Sequence, residues 1–145
     1  MSTKHPVYLA GSISAGRDFA GYLQYIADIV EEHGFYIISR SVLDPDADLS
    51  DRSMKNQRFI FERDIQWIAE SAAMIAEIST PSLGVGFEVH EALDRRIPVL
   101  ALRHTLLRDT TEPAMIVGNP DPLLRWSYYD ESDLPEIIQA FLGEL

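Results

Sequence analysis

Short apolar runs alternate along the chain with longer segments whose apolar residues recur every three or four positions. A short apolar run bounded by turn residues predicts a buried strand, whereas the three-to-four spacing predicts an amphipathic helix. The runs predict strands at 7–11, 35–39, 72–78, 97–103 and 126–129. The spaced segments predict helices from 19 to a stop at 33–34, at 57–71, from the end of the turn 79–86 to about 96, and near the end of the chain, where Ser132 is the expected cap.

Two connecting segments differ from the short turns elsewhere. Residues 40–56 are rich in aspartate and poor in apolar residues, which predicts a long exposed loop. Residues 104–125 contain several prolines, with one helical turn expected around the sequence EPAMIV.

Strands that are separated by helix-length segments require crossover connections, which give a parallel sheet with helices on both faces. We therefore predict one domain, residues 1–145, folded as a single flavodoxin-like (Rossmann-like) three-layer α/β sandwich around a five-stranded parallel sheet. Ligands bind such sheets beyond the carboxyl ends of the strands, where the strand order reverses. That crevice is expected between the loops GSISAGR (11–17) and STPSLGVG (79–86).

The net charge of the chain argues against a nucleic-acid polymer as its partner. Lysine and arginine number 12 against 23 aspartates and glutamates, for a net charge of −11. Such a balance repels nucleic-acid polymers, yet a small anion can still be held by backbone N–H groups at a helix N-terminus. The loop GSISAGRD has these groups and Arg17, although an ordinary turn capped by Asp18 explains the same residues equally well.

Other classes of protein lack support in the sequence. The chain has no cysteine, no apolar run of membrane-spanning length and no secretory pattern in its first residues, so we expect a cytoplasmic protein without a membrane partner. The 4 histidines have none of the spacings typical of metal sites. We expect neither a metal nor another cofactor.

Asp64 interrupts the apolar stripe of the second predicted helix. Its neighbours three and four positions away are Ile60, Phe61, Trp67 and Ile68. A carboxylate placed there needs a partner or a site that opens onto it, because unpaired burial is costly. A structural aspartate that pairs with an arginine or a backbone donor is the alternative.

Glu88 follows the glycine-rich loop and is predicted in the first turn of the third helix, where the helix dipole would help to keep it ionised. Gly84 and Gly86 leave room for a ligand beside it. An ionised, uncovered glutamate is a candidate nucleophile, although a solvated first-turn glutamate is the simpler explanation. Tyr8, in the first strand, faces either the crevice or the core.

Several segments together resemble a known family. VYLAGSISAGRD, FERDIQWIAESA and AEISTPSLGVGFE, followed by RRIPVLALR and EPAMIVG, look like the 2′-deoxynucleoside 5′-monophosphate N-glycosidases (the Rcl family), relatives of the nucleoside 2-deoxyribosyltransferases. The resemblance covers most of the chain in order, with PSLGVGFE as its most specific part. It implies a hydrolase that releases the base from a nucleoside 5′-monophosphate, and a homodimer whose sites are partly completed by the other subunit.

The resemblance also implies a role for each candidate residue. Glu88 would attack C1′ of the sugar and form a covalent glycosyl-enzyme, Asp64 would assist the departure of the base, and Tyr8 would orient the two carboxylates. The implied substrate-binding residues, most of them at the 5′-phosphate, are Gly11, Ser12, Ile13, Arg17, Ser82 and Gly84.

Two positions depart from the family pattern. Ser14 stands where the mammalian enzymes have an arginine, and Pro113 stands where a serine of the neighbouring subunit reaches the phosphate. A weaker phosphate grip favours an unphosphorylated substrate and transfer of deoxyribose to a second base, so this alternative stays open, as do the base and the 2′ position of the sugar. A non-catalytic nucleotide-binding module or a flavin carrier would use the same loops, but neither explains Asp64 and Glu88 together.

Overall fold

A computed structural model describes residues 3–12, 19–43 and 56–145, and the structural statements below concern these residues. The strands are β1 (His5–Gly11), β2 (Phe35–Ile37), β3 (Ala73–Glu77), β4 (Val99–His104) and β5 (Leu124–Tyr129). The helices are α1 (Ala20–Glu32), α2 (Arg40–Leu43), α3 (Gln57–Glu70), α4 (Leu83–Asp94), α5 (Ala114–Val117) and α6 (Leu134–Leu142). A short 3₁₀ helix covers Thr105–Leu107.

The five strands form one parallel sheet in the order β2-β1-β3-β4-β5. This order places β1 and β3 side by side at the centre of the sheet. The loops after these two strands therefore leave the same edge, where the order of the strands reverses. The predicted flavodoxin-like three-layer sandwich is confirmed.

The two faces of the sheet carry separate apolar clusters. In β1, Val7 and Leu9 pack toward α1 and α6, while Tyr8 and Ala10 pack toward α3 and α4. This division follows from the alternation of side chains along a strand. Both faces are covered by helices, which accounts for the nearly continuous apolar runs in the sequence.

Gly11 ends β1 and pairs with Glu77 of β3. A Cβ atom at this position would lie 2.4 Å from Cδ2 of Leu23 in α1. A larger residue at this position would therefore force the Leu23 side chain to move, so the space beside the strand end favours glycine.

The start of α4 differs from the prediction. The helix begins at Leu83, and the side chain of Ser82 caps it by accepting a hydrogen bond from the backbone N–H of Val85 at 3.3 Å. The glycine-rich residues predicted as a turn up to 86 therefore lie largely within the helix. Glu88 is consequently in the second helical turn, and its predicted first-turn position is wrong.

Two smaller predictions are also wrong. The expected loop at 40–56 begins with the helix α2, which Arg40 ties to α1 through ion pairs with Asp28 at 3.2 Å and Glu31 at 2.7 Å; residues 44–55 lie outside the described residues. Ser132 does not cap α6, because Asp133 directly precedes that helix and Ser132 instead donates to the carboxylate of Asp130.

Candidate active site

Tyr8 and Glu88 meet between β1 and α4. The hydroxyl of Tyr8 donates a hydrogen bond to Oε2 of Glu88, 80 residues further along the chain. Tyr8 is 4% exposed and belongs to the apolar cluster on the α3/α4 face of the sheet. Both predicted alternatives for Tyr8 therefore hold, because its ring is part of the core while its hydroxyl reaches the candidate nucleophile.

Burial is the largest cause of the pKa shifts of Tyr8 and Glu88. It raises the pKa of Glu88 from its ordinary value to about 7, and the negative charge of Asp64 raises it as well, whereas the hydrogen bond from Tyr8 lowers it. Burial also raises the pKa of Tyr8, and the adjacent Glu88 carboxylate adds to that increase. Tyr8 consequently remains a donor, and Glu88 changes its ionisation near neutral pH.

Asp64 faces the same region from α3. Its charge acts on the pKa of both Tyr8 and Glu88. Its carboxylate oxygen Oδ1 accepts a hydrogen bond from Nε of Arg63 at 3.0 Å, and the two side chains are 25% and 23% exposed. The expectation of a site and the alternative of a pairing arginine are thus compatible, since Asp64 has a cationic partner and still lies near Glu88.

The phosphate-binding candidates occupy the ends of β1 and the start of α4. Gly11 and Ser12 are half-buried at the carboxyl end of β1, and Ser82 is half-buried as the cap of α4. A Cβ atom at Gly84 would lie 3.8 Å from Oγ of Ser82 and 3.9 Å from Oε1 of Glu88. Gly84 is therefore the position in α4 at which a side chain would reach the candidate nucleophile.

Two of the predicted substrate-binding residues and one position that departs from the family pattern fall in the stretch that follows β1. Ile13 and Arg17, together with Ser14, lie outside the described residues. Pro113 is described and directly precedes α5.

A second buried carboxylate lies on the opposite face of the sheet. Glu77, at the carboxyl end of β3, is 4% exposed and accepts hydrogen bonds from the N–H of Ser79 at 2.6 Å, from its hydroxyl at 2.9 Å and from the hydroxyl of Tyr129. Oγ of Ser79 in turn accepts the backbone N–H of His104 at 2.9 Å. Burial raises the pKa of Glu77, although the Tyr129 and Ser79 hydrogen bonds lower it. These contacts fix the start of the loop that leads to Ser82.

An apolar cavity of about 630 Å³ lies next to the start of α4. It is lined by residues of the loop after β3, of α4 and of α5, including Leu83, Val89, Pro113 and Met115. Two of the lining side chains are strongly exposed, Leu83 at 98% and Met115 at 86%. The cavity shares Ser82 with the candidate site, whereas Glu88 and Gly84 are not among its lining residues.

The described residues lack the features of two other kinds of site. In that part of the chain no three histidine, aspartate or glutamate side chains come together as a metal-binding group. None of the helices described there is long and apolar enough to cross a membrane.

Arg63 and Glu77 are absent from the residues predicted from the sequence. Residues adjacent in a helix point in different directions, so spacing alone gives no reason to pair Arg63 with Asp64. Glu77 does stand out as the one acid in the apolar segment AAMIAEI, but Tyr129 lies 52 residues away and only the fold brings them together.

Fold and site together define a flavodoxin-like α/β protein whose carboxylates gather at the carboxyl edge of the sheet. The chain belongs to the nucleoside 2-deoxyribosyltransferase family, which it matches over residues 7–117. The family predicted from the sequence is confirmed.

Two relatives have names that are more specific than the name of the family. A protein of Methanosarcina mazei, provisionally named 2′-deoxynucleoside 5′-phosphate N-hydrolase 1, is 39% identical over 143 residues, which are 98% of this chain and 86% of that protein. A protein of Tetraodon nigroviridis named 5-hydroxymethyl-dUMP N-hydrolase is 37% identical over 103 residues, 66% of this chain and 68% of that protein.

A solved structure resembles the fold. The CMP N-glycosidase BcmB of Clostridium botulinum superposes with a TM-score of 0.64 and 17% sequence identity, covering 92% of this chain and 98% of that one. At this identity the similarity concerns the fold.

Proposed function

We propose that the protein hydrolyses the N-glycosidic bond of 2′-deoxynucleoside 5′-monophosphates and releases the free base and deoxyribose 5-phosphate. The contact between Tyr8 and Glu88 carries this proposal, because it orients a carboxylate that ionises near neutral pH at the ligand-binding edge of the sheet. The names of the relatives from Methanosarcina mazei and Tetraodon nigroviridis support the same reaction class.

In the first step, ionised Glu88 attacks C1′ of the deoxyribose. A bond forms between C1′ and a carboxylate oxygen while the bond between C1′ and the base nitrogen breaks, and the base leaves with the electron pair and takes up a proton. A carboxylate stabilises the oxocarbenium-like sugar that develops during this exchange. Asp64 assists the departure of the base, and Tyr8 holds Glu88 on the line of attack.

In the second step, water attacks C1′ and the bond to the Glu88 oxygen breaks. The water proton passes through Asp64 to solvent, and the carboxylate of Glu88 is restored with its hydrogen bond from Tyr8. One proton is taken up with the base and one is released with the sugar, so the cycle consumes only water and nucleotide.

The 5′-phosphate is proposed to bind where β1 ends and α4 begins. Ser12 and Ser82 offer hydroxyl groups there, and the N-terminal N–H groups of α4 offer further donors to an anion. Gly84 leaves the space between this binding site and Glu88 open.

Transfer of deoxyribose to a second base is a second candidate function. The family match over residues 7–117 favours it, since that family is described as nucleoside 2-deoxyribosyltransferases. Both reactions share the first step, and they differ in whether water or a new base attacks the glycosyl-enzyme.

Chromatography of reaction mixtures tests both functions. Each deoxynucleoside 5′-monophosphate, its unphosphorylated nucleoside and CMP are incubated with the protein, with and without a second free base. Free base and sugar phosphate from the deoxynucleotides are expected, while new nucleosides would identify transfer. Failure to release base from any of these substrates would contradict both reactions.

Replacing Gly84 with valine is expected to lower kcat/KM by at least about tenfold, because the branched side chain extends toward Oε1 of Glu88 and blocks the approach of the sugar. Gly84→Ala, which adds only the Cβ atom, should retain most of the activity. Gly21→Val serves as a control, because a Cβ at this position in α1 meets nothing within 4 Å. Equal activity of the valine variants would contradict a substrate position beside Gly84.

We further propose that the protein is a homodimer in which the other subunit completes each site. The exposed Leu83 and Met115 support this proposal, since they line an apolar cavity at the start of α4 that a second chain would cover. Pro113 lines the same cavity and would then approach the phosphate of the neighbouring site.

Light scattering of the purified protein tests the dimer. The wild type is expected at twice the mass of one chain, and Met115→Glu is expected to shift it to monomer with loss of activity, because a buried unpaired charge opposes association. Leu106→Glu, at a position that is 77% exposed outside the cavity, should leave the dimer intact. A monomeric and fully active wild type would overturn the proposal.

A further inference from the structure

Arg63 and Asp64 form an ion pair that helix geometry does not favour. Consecutive side chains on a helix diverge, and stabilising pairs ordinarily lie three or four residues apart. Arg63 nevertheless folds back so that its Nε lies 3.0 Å from Oδ1 of Asp64. Other surroundings must therefore hold the arginine in this conformation.

Trp67 supplies part of those surroundings. The guanidinium carbon of Arg63 lies 4.7 Å from the centre of the Trp67 ring, one helical turn further along α3. A planar guanidinium stacks on an aromatic face and still directs N–H groups toward a carboxylate in its own plane. Arg63 is thus held between the ring and Asp64 and is only 23% exposed.

The position of this cation matters because the site gathers negative charge. The titratable groups that act on the pKa of Glu88 are Tyr8 from β1 and Asp64 from α3, and Arg63 of α3 is the hydrogen-bonded partner of Asp64. Burial and Glu88 raise the pKa of Tyr8, whereas the charge of Arg63 lowers it, so the field of the guanidinium reaches the Tyr8 hydroxyl. In a chain with a net charge of −11, Arg63 is a local cation that pairs with the Asp64 carboxylate and also acts on Tyr8, the hydrogen-bond partner of Glu88.

We propose that Arg63 is a positioning residue of the site, which holds the Asp64 carboxylate in place and offsets its charge beside Glu88. This inference rests on the proposed glycosidase function. Fixing the carboxylate keeps it aligned with the departing base and the attacking water. Offsetting its charge limits the repulsion that Glu88 meets when it ionises.

The test compares pH profiles of kcat/KM for the wild type, Arg63→Gln, Arg63→Lys and Arg58→Gln with a deoxynucleotide substrate. Arg63→Gln is expected to lower kcat by about tenfold and to move the acid limb upward by about half a pH unit, because Asp64 then repels ionised Glu88 without compensation. Arg63→Lys should restore the acid limb but not kcat, since an ammonium keeps the charge and loses the planar donor geometry.

Arg58→Gln is the matched control, because Arg58 lies on the same helix, pairs with Glu62 at 2.9 Å and is 85% exposed. It should leave both kcat and the acid limb unchanged. Adding Arg63→Gln to an Asp64→Asn protein should no longer shift the acid limb, because the charge that Arg63 offsets is then absent.

The outcomes distinguish a failure of the proposed role of Arg63 from a failure of the proposed function. An Arg63→Gln profile identical to that of the wild type, or an undiminished shift in the Asp64→Asn background, would overturn the role of Arg63. A wild type that releases no base, or a Glu88→Gln protein that remains fully active, would instead overturn the proposed function.

Discussion

Replacing Glu88 with glutamine is expected to reduce base release by at least about a thousandfold, because the variant lacks the carboxylate proposed to attack C1′. Glutamine has nearly the same shape and its amide oxygen can still accept the hydrogen bond from Tyr8. The loss would therefore reflect chemistry rather than a disturbed core. Initial rates with a deoxynucleoside monophosphate measure it directly.

Two further measurements sharpen this prediction. Glu91→Gln, one turn along α4 at a residue paired with Arg95, is the matched control and should retain wild-type rates. Mass spectrometry of acid-quenched wild-type reactions should find the sugar phosphate on the peptide that contains Glu88. If Glu88→Gln kept more than about a tenth of the activity, the residue would not be the nucleophile.

We also expect Glu88 to make folding stability depend on pH. Burial raises the pKa of its carboxyl from its ordinary value of 4.5 to about 7, so the native protein binds this proton more tightly than the unfolded chain does. The resulting stabilisation is fully present below pH 4.5 and is lost as the pH rises through about 7. The ionised carboxylate that the proposed reaction requires is therefore costly to the fold.

Glu88→Gln is accordingly expected to be more stable than the wild type above pH 7, by up to about 3 kcal/mol in the free energy of unfolding. The two proteins should converge below pH 4.5. Urea unfolding at several pH values measures the difference, with Glu91→Gln again as the control. A difference that stayed constant with pH would contradict the raised pKa.

Much of the fold was predictable because local pattern and tertiary structure agree. The apolar runs at β3 and β4 are bounded by turn residues and become central strands buried on both faces. The start of α4 was not predictable in this way, since Gly84 and Gly86 have low helix propensity. Packing of Val85 and Val89 into the core, with Ser82 as the cap, outweighs that local preference.

For the candidate site, the sequence indicated which residues belong to it better than it indicated which residues they contact. Asp64 and Glu88 are conspicuous because each places a carboxylate beside apolar residues or glycines. Their partners depend on contacts that the sequence does not encode locally. Tyr8 reaches Glu88 across 80 residues, and Arg63 pairs with its immediate neighbour while its guanidinium lies over the Trp67 ring.

Tyr8 contributes both to the packing of the core and to the position of the Glu88 carboxylate. Its ring fills the core while its hydroxyl holds Glu88, so most changes at this position would damage folding and chemistry at once. Changes that affect the proposed chemistry and spare the core would instead fall on side chains outside the apolar cluster, such as Ser82 at the start of α4.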